Sequence, residues 1–102
     1  MAISAKGKRR ISVNGRAYLW HIVDEYDQGC FDGVQILVAA VDKALFLRYG
    51  LHQPDDSRTA VIFPGPGAPT IRAACPRFES EDQVMTPRGV RNLIDWAFAE
   101  LQ

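Results

Sequence analysis

Hydrophobic and polar residues alternate with a period of two through much of the first half of this chain, and with a period of 3.6 near its end. Residues 9–13 (RRISV) and 16–26 (RAYLWHIVDEY) flank Asn14-Gly15, the dipeptide best suited to a two-residue type I′ hairpin turn. Such a turn pairs Val13 with Arg16 and Ile11 with Tyr18. It places Ile11, Val13, Tyr18, Trp20 and Ile22 on one face, with Arg10, Ser12, Ala17, Leu19, His21, Val23 and Glu25 on the other. The first face is apolar throughout and the second is mixed.

After a turn over DQGCFDG, where Gly29 and Gly33 break the pattern, a second alternating pair covers residues 34–41 and 44–51 around Asp42-Lys43. In a two-residue register, Val34, Ile36, Val38, Leu45, Leu47, Tyr49 and Leu51 share a face. Gln35, Leu37, Ala39, Val41, Phe46 and Arg48 share the opposite one. HQPDDSR reads as a polar loop, TAVIF as a fifth strand, and TIRAACPRF as a sixth strand or an extended loop. The last element is a helix: Thr86 is its N-cap and Pro87 its first position, and Val90, Leu93, Ile94, Ala97, Phe98 and Leu101 form its apolar stripe. Arg91 and Asp95, one turn apart, are placed to pair. The pattern predicts an α+β fold, an antiparallel meander sheet of about five strands packed on one face by a single C-terminal helix. Residues 1–102 form one domain, with 1–8 a flexible lead-in.

One helix covers one side of a sheet. The other side, however, does not alternate cleanly into polar residues as a solvated antiparallel face does. It carries Leu19, Val23, Leu37, Val41 and Phe46, with His21 and Arg48 among them. That face is covered by the long 52–83 segment, or by another subunit, or it is an open surface for a ligand. Self-association as a two-fold dimer is the leading expectation, because large apolar patches rarely stay exposed on a monomer. Trp96 lies off the helix stripe, where it either covers the rim of the core or anchors an interface.

Composition narrows the chemistry. Lys and Arg together number 12, as do Asp and Glu, so the net charge is zero and a nucleic-acid partner is not expected. Lys6, Lys8, Arg9, Arg10 and Arg16 are concentrated near the N-terminus without an acid, which suits a charged edge strand. No apolar run reaches bilayer length and no signal-peptide pattern is present, so the expected setting is the cytoplasm, with Cys30 and Cys75 as reduced thiols.

The loop PGPGAPT (64–70) invites a phosphate-site reading, but its prolines lack the N–H groups such a loop needs. It reads instead as a stiff connection. His21 and Glu25 lie roughly 13 Å apart along a strand, too far to share a metal. Asp24, Glu25 and Asp27, like Glu79, Glu81 and Asp82, read as solvated charge without the spacing of a calcium loop. Cys75 has no local feature that would lower its pKa. No cofactor motif and no catalytic signature emerge, and an enzymatic role is not the favoured one.

The segments RRISVNGRAYLW and TPRGVRNLI together resemble small uncharacterised bacterial proteins of the kind carried on mobile gene cassettes, with a basic I-x-V-x-G-x-x-Y-x-W hairpin and a TP-capped terminal helix. The resemblance implies a bacterial, cytoplasmic setting and assigns no chemistry. The expected function is therefore a small self-associating interaction protein. The alternative is a small-ligand binder or an enzyme using the mixed face, with His21, Arg48, Tyr49 or Cys75 near it.

Overall fold

The computed structural model describes residues 8–25, 33–65, 67–80 and 84–101. Six strands follow in chain order: β1 (Arg9–Val13), β2 (Arg16–Glu25), β3 (Gly33–Ala40), β4 (Phe46–Gly50), β5 (Thr59–Phe63) and β6 (Ile71–Ala74). They form one sheet in the order β1-β2-β3-β4-β5-β6, every neighbouring pair antiparallel. The count is six where the sequence pattern suggested about five. The sixth is Ile71–Ala74, whose Ile71 and Ala73 pair with Ile62 and Ala60 and so complete the apolar face.

Local chemistry accounts for the turns. Asn14 (φ 52°) and Gly15 (φ 77°) both adopt the left-handed conformation of a type I′ turn, and Val13 pairs with Arg16 and Ile11 with Tyr18. Between β3 and β4 the chain turns through residues 41–44, with Lys43 left-handed (φ 63°) and the Asp42 carboxylate accepting from the Ala44 amide at 3.0 Å. Val38 pairs with Leu47 and Ala39 with Phe46, the register expected from the sequence.

The helix α1 (Pro87–Glu100) begins where Thr86 Oγ1 accepts from the Gly89 amide at 3.1 Å. Val90, Leu93, Ile94 and Ala97 are buried against Val13, Tyr18, Trp20, Ile36, Val38, Leu47, Tyr49 and Ile62 in one core. Gly89 allows a close approach there: a Cβ at that position would overlap the Phe78 carbonyl oxygen and come within 2.7 Å of Met85 Sδ. Three expectations are corrected. Leu101 is exposed at the helix cap, and Ile22 is 48% exposed at the open margin of the helix-side face. Asp95 forms no ion pair with Arg91 among the described residues; it accepts from Asn14 Nδ2 at 3.4 Å, tying the first hairpin to the helix.

Expectations placed on residues 1–7, on the turn with Gly29 and Cys30, and on Asp27, Glu81 and Asp82 fall outside the described residues, as do the side chains of Asp24 and Glu25. No described helix is long and apolar enough to cross a membrane.

Candidate functional site

The face of the sheet away from the helix is built by register alone. Leu19 pairs with Ala39, His21 with Leu37, Val23 with Gln35, Leu37 with Arg48, Ala39 with Phe46, Phe46 with Phe63 and Arg48 with Val61. Paired residues point to the same side, so these side chains form one continuous surface. Leu37 and Val61 are its buried floor, and Leu19, Val23, Phe46 and Phe63 are half-buried around them. Phe46 and Phe63 meet edge to face at 5.4 Å, and the Arg48 guanidinium lies 5.7 Å over the Phe46 ring while donating to Gln35 Oε1 at 3.4 Å. A depression of about 160 Å³ opens between Lys8, Leu19, His21, Leu37, Ala39, Phe46 and Arg48. Its rim is cationic: Lys8 and Arg48 make no ion pair among the described residues, and Arg10 on the same face makes none either.

Five of the residues singled out from the sequence, Leu19, His21, Leu37, Phe46 and Arg48, therefore come together at this depression. Val23 shares their face but lies further along β2. Val41 does not join them; it follows the end of β3, its amide still donating to the Ala17 carbonyl at 3.0 Å, and it is 49% exposed outside the depression. Trp96 lies on the opposite side of the sheet, half-buried against the core, its ring 6.1 Å from Phe78. That contact is the rim-covering role, and it separates Trp96 from the second face. Tyr49 and Cys75 are also on the helix side. Burial raises the Cys75 thiol to about 11, where it carries almost no thiolate at neutral pH.

A second cluster was not legible in the sequence. Arg58 and Glu79 are both buried, at 5% and 6% exposure, although each belongs to a polar stretch that reads as solvated. Glu79 is thus a correction to the acidic-loop expectation. Its carboxylate receives the Tyr49 hydroxyl at 2.5 Å, Arg58 Nη1 at 3.1 and 3.2 Å, and the His52 amide at 3.3 Å. Arg58 Nη1 also donates to Tyr49 Oη at 2.7 Å, and Nη2 donates to the Gln53 carbonyl and Asp55 Oδ1, each at 2.7 Å. Gln53 closes the turn by bonding the Gly50 and Thr59 carbonyls and the Thr59 amide.

Burial opposes ionisation of Glu79, but the bonds from Tyr49 and two backbone amides, with the Arg58 charge, outweigh it and hold the carboxyl below its ordinary value. A polar cleft of about 190 Å³ lies beside this cluster, lined by His52, Gln53, Pro54, Asp55, Arg58, Arg77 and Glu79. With its donors and acceptors engaged in holding residues 50–59 to the Phe78–Glu79 segment, the cluster joins loops to the sheet. A signal that could have found it is the spacing of Gln53, Asp55 and Arg58 around a 3-10 turn (Asp55–Ser57), which lets one arginine meet two nearby acceptors.

Among the described residues no three His, Cys, Asp or Glu side chains gather where a metal ion could be held. Comparison with protein-family models, with curated proteins and with solved structures finds no match.

Proposed function

We propose that this chain is a small interaction protein that self-associates through the second face of its sheet, as a two-fold dimer. The observation that carries the reading is the face itself: Leu19, Val23, Leu37, Phe46, Val61 and Phe63 stand together on the side away from α1, the only α-helix among the described residues. A half-exposed apolar surface of this kind gains from mutual burial, and a two-fold pair is the simplest closed assembly that covers it. Phe46 is the expected anchor, since aromatic side chains dominate the binding energy of such patches. Its contacts with Phe63 and Arg48 hold it in place before any partner arrives.

Light scattering across a concentration range tests this, with Phe46→Glu as the disrupting variant. The wild type is expected at twice the chain mass. Phe46→Glu should run at the monomer mass with an unchanged far-UV spectrum, its dissociation constant raised about 100-fold or more. A wild type that stays monomeric at every concentration would overturn the reading.

A second reading is supported by the depression among Lys8, Leu19, His21, Leu37, Ala39, Phe46 and Arg48. An apolar floor under cations that have no carboxylate partner among the described residues suits a small anionic ligand on the same face. A monomer whose melting temperature rises with such a ligand, and no longer does so in Arg48→Gln, would favour it.

A further inference from the structure

On the helix side, away from the second face, a cavity of about 320 Å³ opens where the β1–β2 turn meets the C-terminal half of α1, lined by Val13, Asn14, Arg16, Tyr18 and Phe98. That volume lies at the lower end of the range for small-molecule sites, roughly 300–1,000 Å³. Tyr18 is fully buried, and its hydroxyl is, among the described residues, the one buried side-chain polar atom without a hydrogen-bond partner. A phenol stripped of water and left unbonded is costly, so native structures rarely keep one without a reason.

Arg16 stands over the same place. Its guanidinium lies 5.9 Å from the Phe98 ring centroid, and Nε is 4.0 Å from Asp42 Oδ2. Both of those charged side chains are about half exposed, at 45% and 54%. An ion pair that long and that wet holds its arginine weakly. Arg16, which already lies beside Tyr18, can therefore exchange one carboxylate for another at little cost.

We propose that this cavity binds a small monocarboxylate with an apolar body. The ligand's carboxylate displaces Asp42 from Arg16 and accepts the hydrogen bond that the Tyr18 hydroxyl does not make elsewhere. Its apolar body lies against Val13 and Phe98. The charge balance selects a monoanion: one guanidinium faces inward, while Asp42 and Asp95 stand close by and oppose a second negative charge. Burial raises the Tyr18 pKa against the charge and the guanidinium N–H of neighbouring Arg16. Since arginine offers no acceptor, the hydroxyl stays protonated with its own proton left to donate at neutral pH. This inference is independent of the dimer reading, because the cavity and the second face lie on opposite sides of the sheet.

The test is a titration with benzoate and with hexanoate at millimolar concentration, followed through backbone amide resonances, with benzyl alcohol as the uncharged control. Saturable binding is expected, with the largest shifts at Asn14, Arg16, Tyr18 and Phe98. Tyr18→Phe and Arg16→Gln should each weaken benzoate by about tenfold or more, and benzyl alcohol should bind more weakly than benzoate by a similar factor. Tyr18→Phe removes an oxygen that donates no hydrogen bond and meets only the half-exposed Arg16, so its fold and melting temperature should be kept. A loss of binding then reports the hydroxyl itself. Absence of saturable shifts with both carboxylates would overturn the inference. So would shifts confined to Leu19 and Phe46, or a Tyr18→Phe variant that binds benzoate as tightly as the wild type.

Discussion

Tyr18 and Tyr49 are both fully buried on the helix side of one sheet, two strands apart, yet their hydroxyls meet opposite surroundings. The Tyr49 hydroxyl donates to Glu79 and accepts from Arg58 Nη1 and from the Phe78 amide. Burial, reinforced by the bond to the Glu79 carboxylate, drives its pKa well above the ordinary tyrosine value. The Tyr18 hydroxyl donates to no acceptor among the described residues, and its polar neighbour Arg16 offers none. A phenol at the centre of a complete network is a structural fastening. A phenol left wanting beside a cavity and a loosely held arginine is where a ligand has something to supply.

The contrast is open to attack from either side. The largest effect should come from Arg58→Met, which leaves the buried Glu79 with only the longer contact from half-exposed Arg77, at 3.9 Å. Denaturant unfolding should show a loss of about 3–5 kcal/mol, as for other broken buried pairs. A loss below about 1 kcal/mol would mean that the pair is far better solvated than its burial implies. Tyr49→Phe should cost about 1–3 kcal/mol in the same measurement, because Glu79 and the Phe78 amide each lose a buried partner.

The pH dependence sharpens the comparison. Glu79 has a depressed pKa in the folded state, so its contribution is present above the ordinary carboxyl value of 4.5 and is lost as the pH falls through the folded value. The stability advantage of the wild type over Glu79→Gln should therefore hold at neutral pH and shrink steadily in acid. An advantage that grows in acid would contradict the ionised form. The smallest effect belongs to Tyr18→Phe without ligand. Removing an unbonded hydroxyl should leave stability unchanged or raise it by up to about 1 kcal/mol, read from the denaturation midpoint. A loss comparable to that of Tyr49→Phe would erase the distinction between the two tyrosines.

Much of the frame could be read directly from residue order. Asn14-Gly15 dictates its own turn and hence which residues of β1 and β2 share a face. Thr86-Pro87 starts the helix, and the stripe Val90, Leu93, Ile94, Ala97 is the face that packs. The continuity of Leu19, His21, Leu37, Phe46 and Arg48 follows from the same alternation carried across three strands. Where reading failed, alternation was interrupted or partners were remote. Val41 lies on the second face by strict alternation, and its amide still donates to the Ala17 carbonyl of β2 at 3.0 Å. It stands, however, at the exposed start of the 41–44 turn, away from the depression. Ile71–Ala74 is short and follows a proline-rich loop, so only pairing with β5 makes it a strand.

Backbone preference and period decide the turns, the strand faces and the helix start of this protein, because those signals act over two to four residues and need no distant partner. The burial of Arg58 and Glu79, the placing of Trp96 over Phe78, and the unmet hydroxyl of Tyr18 were decided by the folded chain alone. Arg58 meets Glu79 across 21 residues of sequence, and Asn14 reaches Asp95 across 81. A charge is stable in the interior only when such a partner is delivered to it, and a hydroxyl is orphaned only when none is.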